Sequence, residues 1–304
     1  MYKTKQIKSI SGSLLRILAF AAVLFVFYFQ MQNKKFSWNE MPPINYVPLT
    51  FLILFMPLNW WLEWKKFKIM VSSMKDENDS NNKSAFYAGM LTGFLTPAMV
   101  GNFIGRNMYY PKSDRWRLTV YTMMGNYAQF VISMTIGGVG LLYLHFYHHQ
   151  HYLSSWQLVL TVILIIIPLA LFIFCRPLLQ LLPIQRAQTA ALALQNGPSM
   201  NSIFGFSAVR YLVFLLQFAL ALYAFSGQFS LIIFVWISVV FLLVTLAPSL
   251  FLGKIIIRES IAVAVLTLVG FESTPVLFAS LSTWVINLIL PNLWAAFQLK
   301  MKSK

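Results

Sequence analysis

The chain has 304 residues, 59% of them hydrophobic and only 10% charged, with a formal net charge of +15. Soluble globular domains carry about 25% charged residues, so this composition excludes a water-soluble fold and implies a membrane bundle of about eight spans at roughly 20 apolar residues each. The basic excess does not mark a nucleic-acid binder, because Lys and Arg sit in short stretches between apolar runs rather than on one face of a folded domain.

The first apolar run, Leu14 to Phe29, follows Lys3, Lys5 and Lys8 and leads into Gln-Met-Gln-Asn-Lys-Lys without a small-x-small cleavage site, so it is expected to be an uncleaved first span. The second, Val47 to Trp64, closes on Trp60, Trp61 and Trp64, and Lys65 to Lys83 reads as a flexible polar loop. Ser84 to Arg106 is apolar but interrupted by Gly and Pro. Runs follow at Leu118–Leu144, Trp156–Phe174, Asn201–Phe225 and Phe229–Leu246. A second interrupted segment, Ala247–Gly270, precedes a last run, Pro275–Leu299. The expected fold class is all-α, one polytopic transmembrane domain over residues 1–304 with re-entrant or broken helices.

Basic residues set the expected orientation. Lys3, Lys5 and Lys8, the Lys65–Lys83 loop (including Lys66 and Lys68), Lys112, Arg115 and Arg117, Arg176 and Arg186, and the tail with Lys300, Lys302 and Lys304 form one set. The alternate loops hold only Lys34 and Lys35, with none over 145–155 or 226–228. The positive-inside rule places the first set, and both termini, in the cytoplasm of a cell-membrane protein. Lys83 and Lys112 then share a side, so Ser84–Arg106 is expected to enter and leave on that side as a hairpin. Irregular backbone at membrane depth is tolerated where protein or a water-filled cavity surrounds it.

The two interrupted segments echo each other. LTPAMVGNFIGR (95–106) and LAPSLFLGKIIIR (246–258) pair Pro97 with Pro248, Gly101 with Gly253 and Arg106 with Arg258. Pro removes a backbone donor and Gly frees the backbone. Broken segments at matching positions of two halves point to a binding site between structural repeats, here residues 1–150 and 151–304. Whether such repeats run parallel or inverted is left open by the sequence.

Charges inside apolar sequence supply the site residues. Arg210 lies about 10 Å into its span, where a cation is expensive and most often functional. Arg106 closes the first motif, and Arg258 and Glu259 open the apolar stretch after the second. A guanidinium fork suits phosphate oxygens. Arg106, Arg210 and Arg258, with Glu259, Asn102 and Gln129, are therefore the expected binding residues, and Pro97, Gly101, Gly105, Pro248 and Gly253 the expected structural breaks. Snorkelling to the interface is the competing account of Arg106, and a structural ion pair that of Arg258–Glu259. Asn126, Gln129, Gln217 and Asn287 suit helix-to-helix hydrogen bonding, and Gly137, Gly138 and Gly140 close helix packing. His145, His148, His149 and His151 match no zinc or copper spacing with a nearby carboxylate. Of eight acids, only Glu63 and Glu259 lie at span ends or in apolar sequence. No HExxH, GxSxG, P-loop or GxGxxG motif is present. No enzyme activity, cofactor or metal is expected.

LTPAMVGNFIGR (95–106), YYPKSDRWRLTVYTMMGNYAQFVISMTIGG (109–138) and IIIRESIAVAVLTLVG (255–270) together resemble the lysylphosphatidylglycerol synthase transmembrane-region family. The resemblance implies a bundle of about eight spans with re-entrant elements, similar to a lipid flippase. Two-domain members add a soluble aminoacyl-transferase domain, which has no counterpart in these residues, so lipid aminoacylation is not carried over. The family pattern has Glu after the first motif's glycine, where this chain has Asn102. The expected function is a flippase-like protein that translocates or binds an anionic lipid or lipid-linked sugar. The alternatives are a non-catalytic membrane partner of a glycosyltransferase or other lipid-modifying enzyme, and a membrane-embedded enzyme using Glu259.

Overall fold

A computed structural model describes residues 43–74, 79–94, 96, 100–147, 153–247 and 253–302. The expected first span and the echoed prolines Pro97 and Pro248 lie outside these residues. The elements are α1 (Tyr46–Val71), α2 (Asp79–Phe94), α3 (Gly101–Asn107), α4 (Lys112–Tyr147), α5 (Ser155–Ile173), α6 (Cys175–Leu181) and α7 (Gln185–Gln195). They continue as α8 (Met200–Ser226), α9 (Ile232–Leu246), α10 (Gly253–Thr267) and α11 (Ser273–Trp284), then a π-helical turn (Val285–Ile289) running into α12 (Leu290–Lys302). No strand occurs among the described residues.

Among the described residues, five helices are long and apolar enough to cross a membrane: α1, α4, α5, α8 and the continuous unit from α11 to α12. The described chain is thus an all-helical membrane protein with five candidate spans, where the sequence suggested about eight in all. The Phe229–Leu246 run forms only the 15-residue α9, about 22 Å long and short of a ~30 Å hydrocarbon core. At 16 residues α2 is likewise short, and α3 has seven.

Helix α1 and helix α8 pack antiparallel in regular register. The Asn45 N–H donates to the Ala224 carbonyl (2.9 Å), the Gln217 amide to the Leu52 carbonyl (3.1 Å), and the Arg210 Nε to the Asn59 Oδ1 (2.8 Å). Each step of seven along α1 is answered by seven back along α8, the spacing of a coiled-coil seam. Gln217 thus makes the interhelical bond its sequence suggested. Asn45 caps α1, accepting from the Val47 N–H. Gly227, at φ +68°, closes α8 in the left-handed conformation.

The Ser84–Arg106 segment does fold back on itself. A Cβ on Gly101 would lie 2.2 Å from the Thr92 carbonyl oxygen, and one on Gly105 would lie 2.5 Å from that of Ala88. Helices α2 and α3 therefore meet backbone to backbone and run antiparallel. The Thr92 Oγ1 donates across the gap to the Gly101 carbonyl (2.6 Å), and the Gly101 N–H donates to the Thr96 Oγ1 (2.6 Å). Gly137 and Gly140 of α4 bring it against α9, and Gly138 brings it against α5, as close packing required.

Two apolar clusters form the core. One joins Leu52 to α8, α9, α10 and α11. The other joins Phe67, Met70 and Val71 to α2, the first half of α4 and α7. The stretch of α1 between Leu52 and Phe67 spans the join.

Candidate functional site

One ionic cluster sits at that join, and its centre is Glu63. Helix α1 does not end at Trp64 as the sequence suggested but continues to Val71. Lys66 is accordingly a buried helical residue and not part of a cytoplasmic loop. Its Nζ lies 2.7 Å from the Glu63 Oε2, one turn away. Arg210 reaches the same oxygen from α8 with Nη1 at 3.0 Å, and Arg106 from α3 approaches the Glu63 Oε1 with Nη2 at 3.6 Å. Three cations from three helices thus share one carboxylate.

The shell around them is polar and directional. Asn59, one turn before Glu63, accepts from the Arg210 Nε and donates its Nδ2 to the Asn287 Oδ1 at 2.8 Å. Asn287 thus makes the interhelical bond the sequence suggested, and its own amide donates to the Thr283 carbonyl. The π-helical turn that presents it has a cause in sequence. Pro291 cannot donate a hydrogen bond, and in a regular helix its ring would strike the carbonyl four residues back, which is that of Asn287. The helix widens instead, with the Leu290 N–H bonded to the Val285 carbonyl. Such π turns recur at functional sites.

Arg106 is the most deeply placed cation. Its guanidinium carbon lies 4.6 Å from the Phe67 ring centroid, a cation–π distance, and its Nη1 makes only a long 3.4 Å bond to the Thr122 Oγ1. Among the described residues its Nε and Nη2 have no hydrogen-bond partner, and neither has the Oδ1 of the buried Asn102. Gly89 makes room for both: a Cβ there would lie 2.5 Å from the Arg106 Cγ and 2.7 Å from the Asn102 Oδ1. Side-chain exposure is graded, at 2% for Arg106, 3% for Lys66, 13% for Glu63 and 24% for Arg210. Arg210 is therefore the most exposed member of the cluster.

Of the residues expected from sequence, Arg106, Arg210 and Asn102 come together here. Gly101 and Gly105 shape the hairpin that carries Arg106. Gln129 lies one turn beyond Gly125, which packs on Met70 and faces Lys66, and its Oε1 is buried without a partner. Arg258 and Glu259 form a separate site. Although adjacent in sequence, they pair through two bonds: Arg258 Nε to Glu259 Oε2 at 3.1 Å and Nη2 to Oε1 at 2.8 Å. The Arg258 Nη2 also donates to the Ser280 carbonyl, and the Ser280 hydroxyl donates to Glu259. That guanidinium is spent on protein partners. Gly253 opens α10 as Gly101 opens α3. His145 is buried and its Nδ1 accepts from the Leu153 N–H, while His148, His149 and His151 lie outside the described residues.

Glu63, Lys66 and Asn59 were not singled out from sequence as binding residues. One signal was legible: an acid and a base three apart inside an aromatic, apolar stretch, in a chain with only eight acids. The fold and this cluster define a helical membrane protein with a buried, cation-rich centre. No protein-family model, curated protein or solved structure matches the chain.

Proposed function

We propose that the protein is a flippase-like membrane carrier that binds an anionic lipid or lipid-linked sugar and moves it between leaflets, with the Glu63 cluster as its headgroup site. The observation that carries this reading is the charge imbalance: Lys66, Arg106 and Arg210 share one carboxylate, so among the described residues basic groups outnumber acidic ones there by two. An uncompensated buried charge costs several kcal/mol, and intramembrane ionisable groups mark substrate pathways by default. The likeness of the 95–106, 109–138 and 255–270 motifs to the lysylphosphatidylglycerol synthase transmembrane-region family agrees with it.

We further propose that the two halves form an internal repeat of inverted topology, which would support the same reading. Helices α1, α2 and α3 start at 46, 79 and 101, and α8, α9 and α10 at 200, 232 and 253, a near-constant offset. Packing is exchanged reciprocally: α4 of the first half lies on α9, and α12 of the second lies on α2. Repeats related by an axis along the membrane normal would place α1 parallel to α8. These two run antiparallel, so the relating axis is perpendicular to them and passes near Asn59 and Arg210. The basic-residue distribution agrees, since it starts the first half in the cytoplasm and the second, after 145–155, outside. Carriers built this way bind substrate near the bilayer midplane, between the repeats, and the Glu63 cluster lies on the proposed axis.

The test is reconstitution in vesicles, with labelled anionic lipid and lipid-linked sugar followed between leaflets. Protein-dependent movement that Arg210→Ala abolishes is expected. Absence of movement of every anionic lipid offered to the native protein refutes the proposal.

A further inference from the structure

Charge counting within the cluster goes further than the word anionic. We infer that the site is built for a phosphate group carrying two negative charges, a phosphomonoester or a diphosphate esterified at both ends, and selects it over a singly charged phosphodiester. The inference rests on the proposed headgroup site and specifies its ligand.

Among the described residues, three basic groups surround the one carboxylate of Glu63, an excess of two positive charges when all four are ionised. A phosphodiester headgroup would neutralise half of that excess, whereas a doubly charged phosphate neutralises all of it. The donors are of the right kind. The Arg106 Nε and Nη2 are buried without hydrogen-bond partners, and a guanidinium edge pairs with two phosphate oxygens. Lys66 adds a compact point charge beside it. Arg210, the most exposed member, holds Glu63 with one nitrogen and Asn59 with another, so its side chain is positioned before any ligand arrives. The Arg258 site shows the contrasting case, in which one guanidinium and one carboxylate cancel and the remaining bonds go to Ser280. That site has no charge left to offer, whereas the Glu63 site has two.

The test uses the full chain in nanodiscs of neutral phosphatidylcholine at pH 8, where a phosphomonoester is doubly ionised. The probes share one prenyl tail carrying a methyl-capped diphosphate, a phosphomonoester or a methyl phosphodiester, and inorganic phosphate serves as the tail-free arm. Calorimetric titration is expected to show the first two binding at least about tenfold tighter than the diester, a difference of ~1.4 kcal/mol. Lys66→Met, which leaves an excess of one, should collapse that preference while diester binding persists. Arg210→Gln, at the exposed edge, should do the same and guards against misfolding of the Lys66 variant. Equal affinity for diester and diphosphate in the native protein overturns the inference, as does a preference that survives in both variants. Inorganic phosphate binding as tightly as the prenyl phosphomonoester supports the charge selection and overturns the lipid as its source. Selective binding without movement between leaflets leaves this inference standing and removes translocation. Movement indifferent to headgroup charge does the reverse.

Discussion

Glu63→Gln keeps the shape of the side chain and removes the one negative charge that Lys66, Arg106 and Arg210 share. Breaking a buried ion pair by deleting one partner costs about 3–5 kcal/mol, because the other charge is left uncompensated. Arg210 keeps its 2.8 Å bond to the Asn59 Oδ1, which offsets part of its loss, so the lower end, about 3 kcal/mol, is the expected cost. At roughly 2–4 °C per kcal/mol for a chain of this size, the unfolding midpoint should fall by about 6–12 °C. Intrinsic tryptophan fluorescence in a neutral detergent reads it, and Trp64 adjoins the mutated residue. The companion variant is Lys66→Met. It deletes a cation from a site already rich in them and leaves Glu63 paired with both arginines, so its cost should be much smaller than that of Glu63→Gln, with no change or a small gain also consistent. Anionic detergent or lipid should then rescue Glu63→Gln more than the native protein, since the variant presents three uncompensated cations. A Glu63→Gln protein as stable as the native, or a Lys66→Met protein less stable than Glu63→Gln, refutes the electrostatic reasoning.

Two further expectations concern the scaffold that holds these charges. Gly105→Val should destabilise by about 1–3 kcal/mol through overpacking, because even a Cβ there lies 2.5 Å from the Ala88 carbonyl oxygen; Gly205→Ala in α8, where a Cβ meets nothing within 4 Å, should be neutral or stabilising by up to about 1 kcal/mol, and thermal unfolding of both tests the contrast. Pro291→Ala should let the π turn relax to a regular helix and withdraw Asn287 from Asn59, so Asn287→Ala should cost about 0.5–1 kcal/mol less in that background than in the native one; additive effects in the double-mutant cycle would show that Pro291 does not set the position of Asn287.

Sequence reasoning reached the all-helical membrane class, the fold-back near Arg106 and the glycine contacts of α4, because each depends on composition or local backbone chemistry. It marked Arg106 and Arg210 because a cation inside an apolar run stands out against its neighbours. It missed Lys66 for the opposite reason: beside Lys65 and Lys68, at the end of a run, a lysine reads as loop and is counted toward topology. Only the continuation of α1 for two turns past Trp64 turns it inward. Glu63 was visible as a rare acid, but its role depends on α3 and α8 arriving from about 43 and 147 positions away in sequence, which no local pattern encodes. Asn59 and Asn287 illustrate the same limit. The residue type foretold a bond between helices, and the partner came from a register fixed by seven-residue steps along α1 and α8.

In the proposed repeat, Arg106 and Arg258 hold equivalent places, five residues after the glycine that opens each helix. The halves part at the next residue. The second half has Glu259, which takes up Arg258 through two bonds and closes the site on itself. The first half has Asn107, which donates to the Thr119 hydroxyl at 2.9 Å and offers Arg106 no charge. Arg106 therefore turns to a carboxylate on another helix, and that carboxylate already serves Lys66 and Arg210. In that proposed repeat, one of the two surplus positive charges at the centre of the bundle follows from a single difference between the halves, an amide in place of an acid beside the same arginine. A symmetric pair of motifs would have produced two neutral, self-satisfied ion pairs. It is the broken symmetry that leaves donors unpaired where α1 and α8 cross, and a bundle that merely needed stability would gain nothing from keeping them there, since a well-packed apolar replacement is commonly as stable or more so.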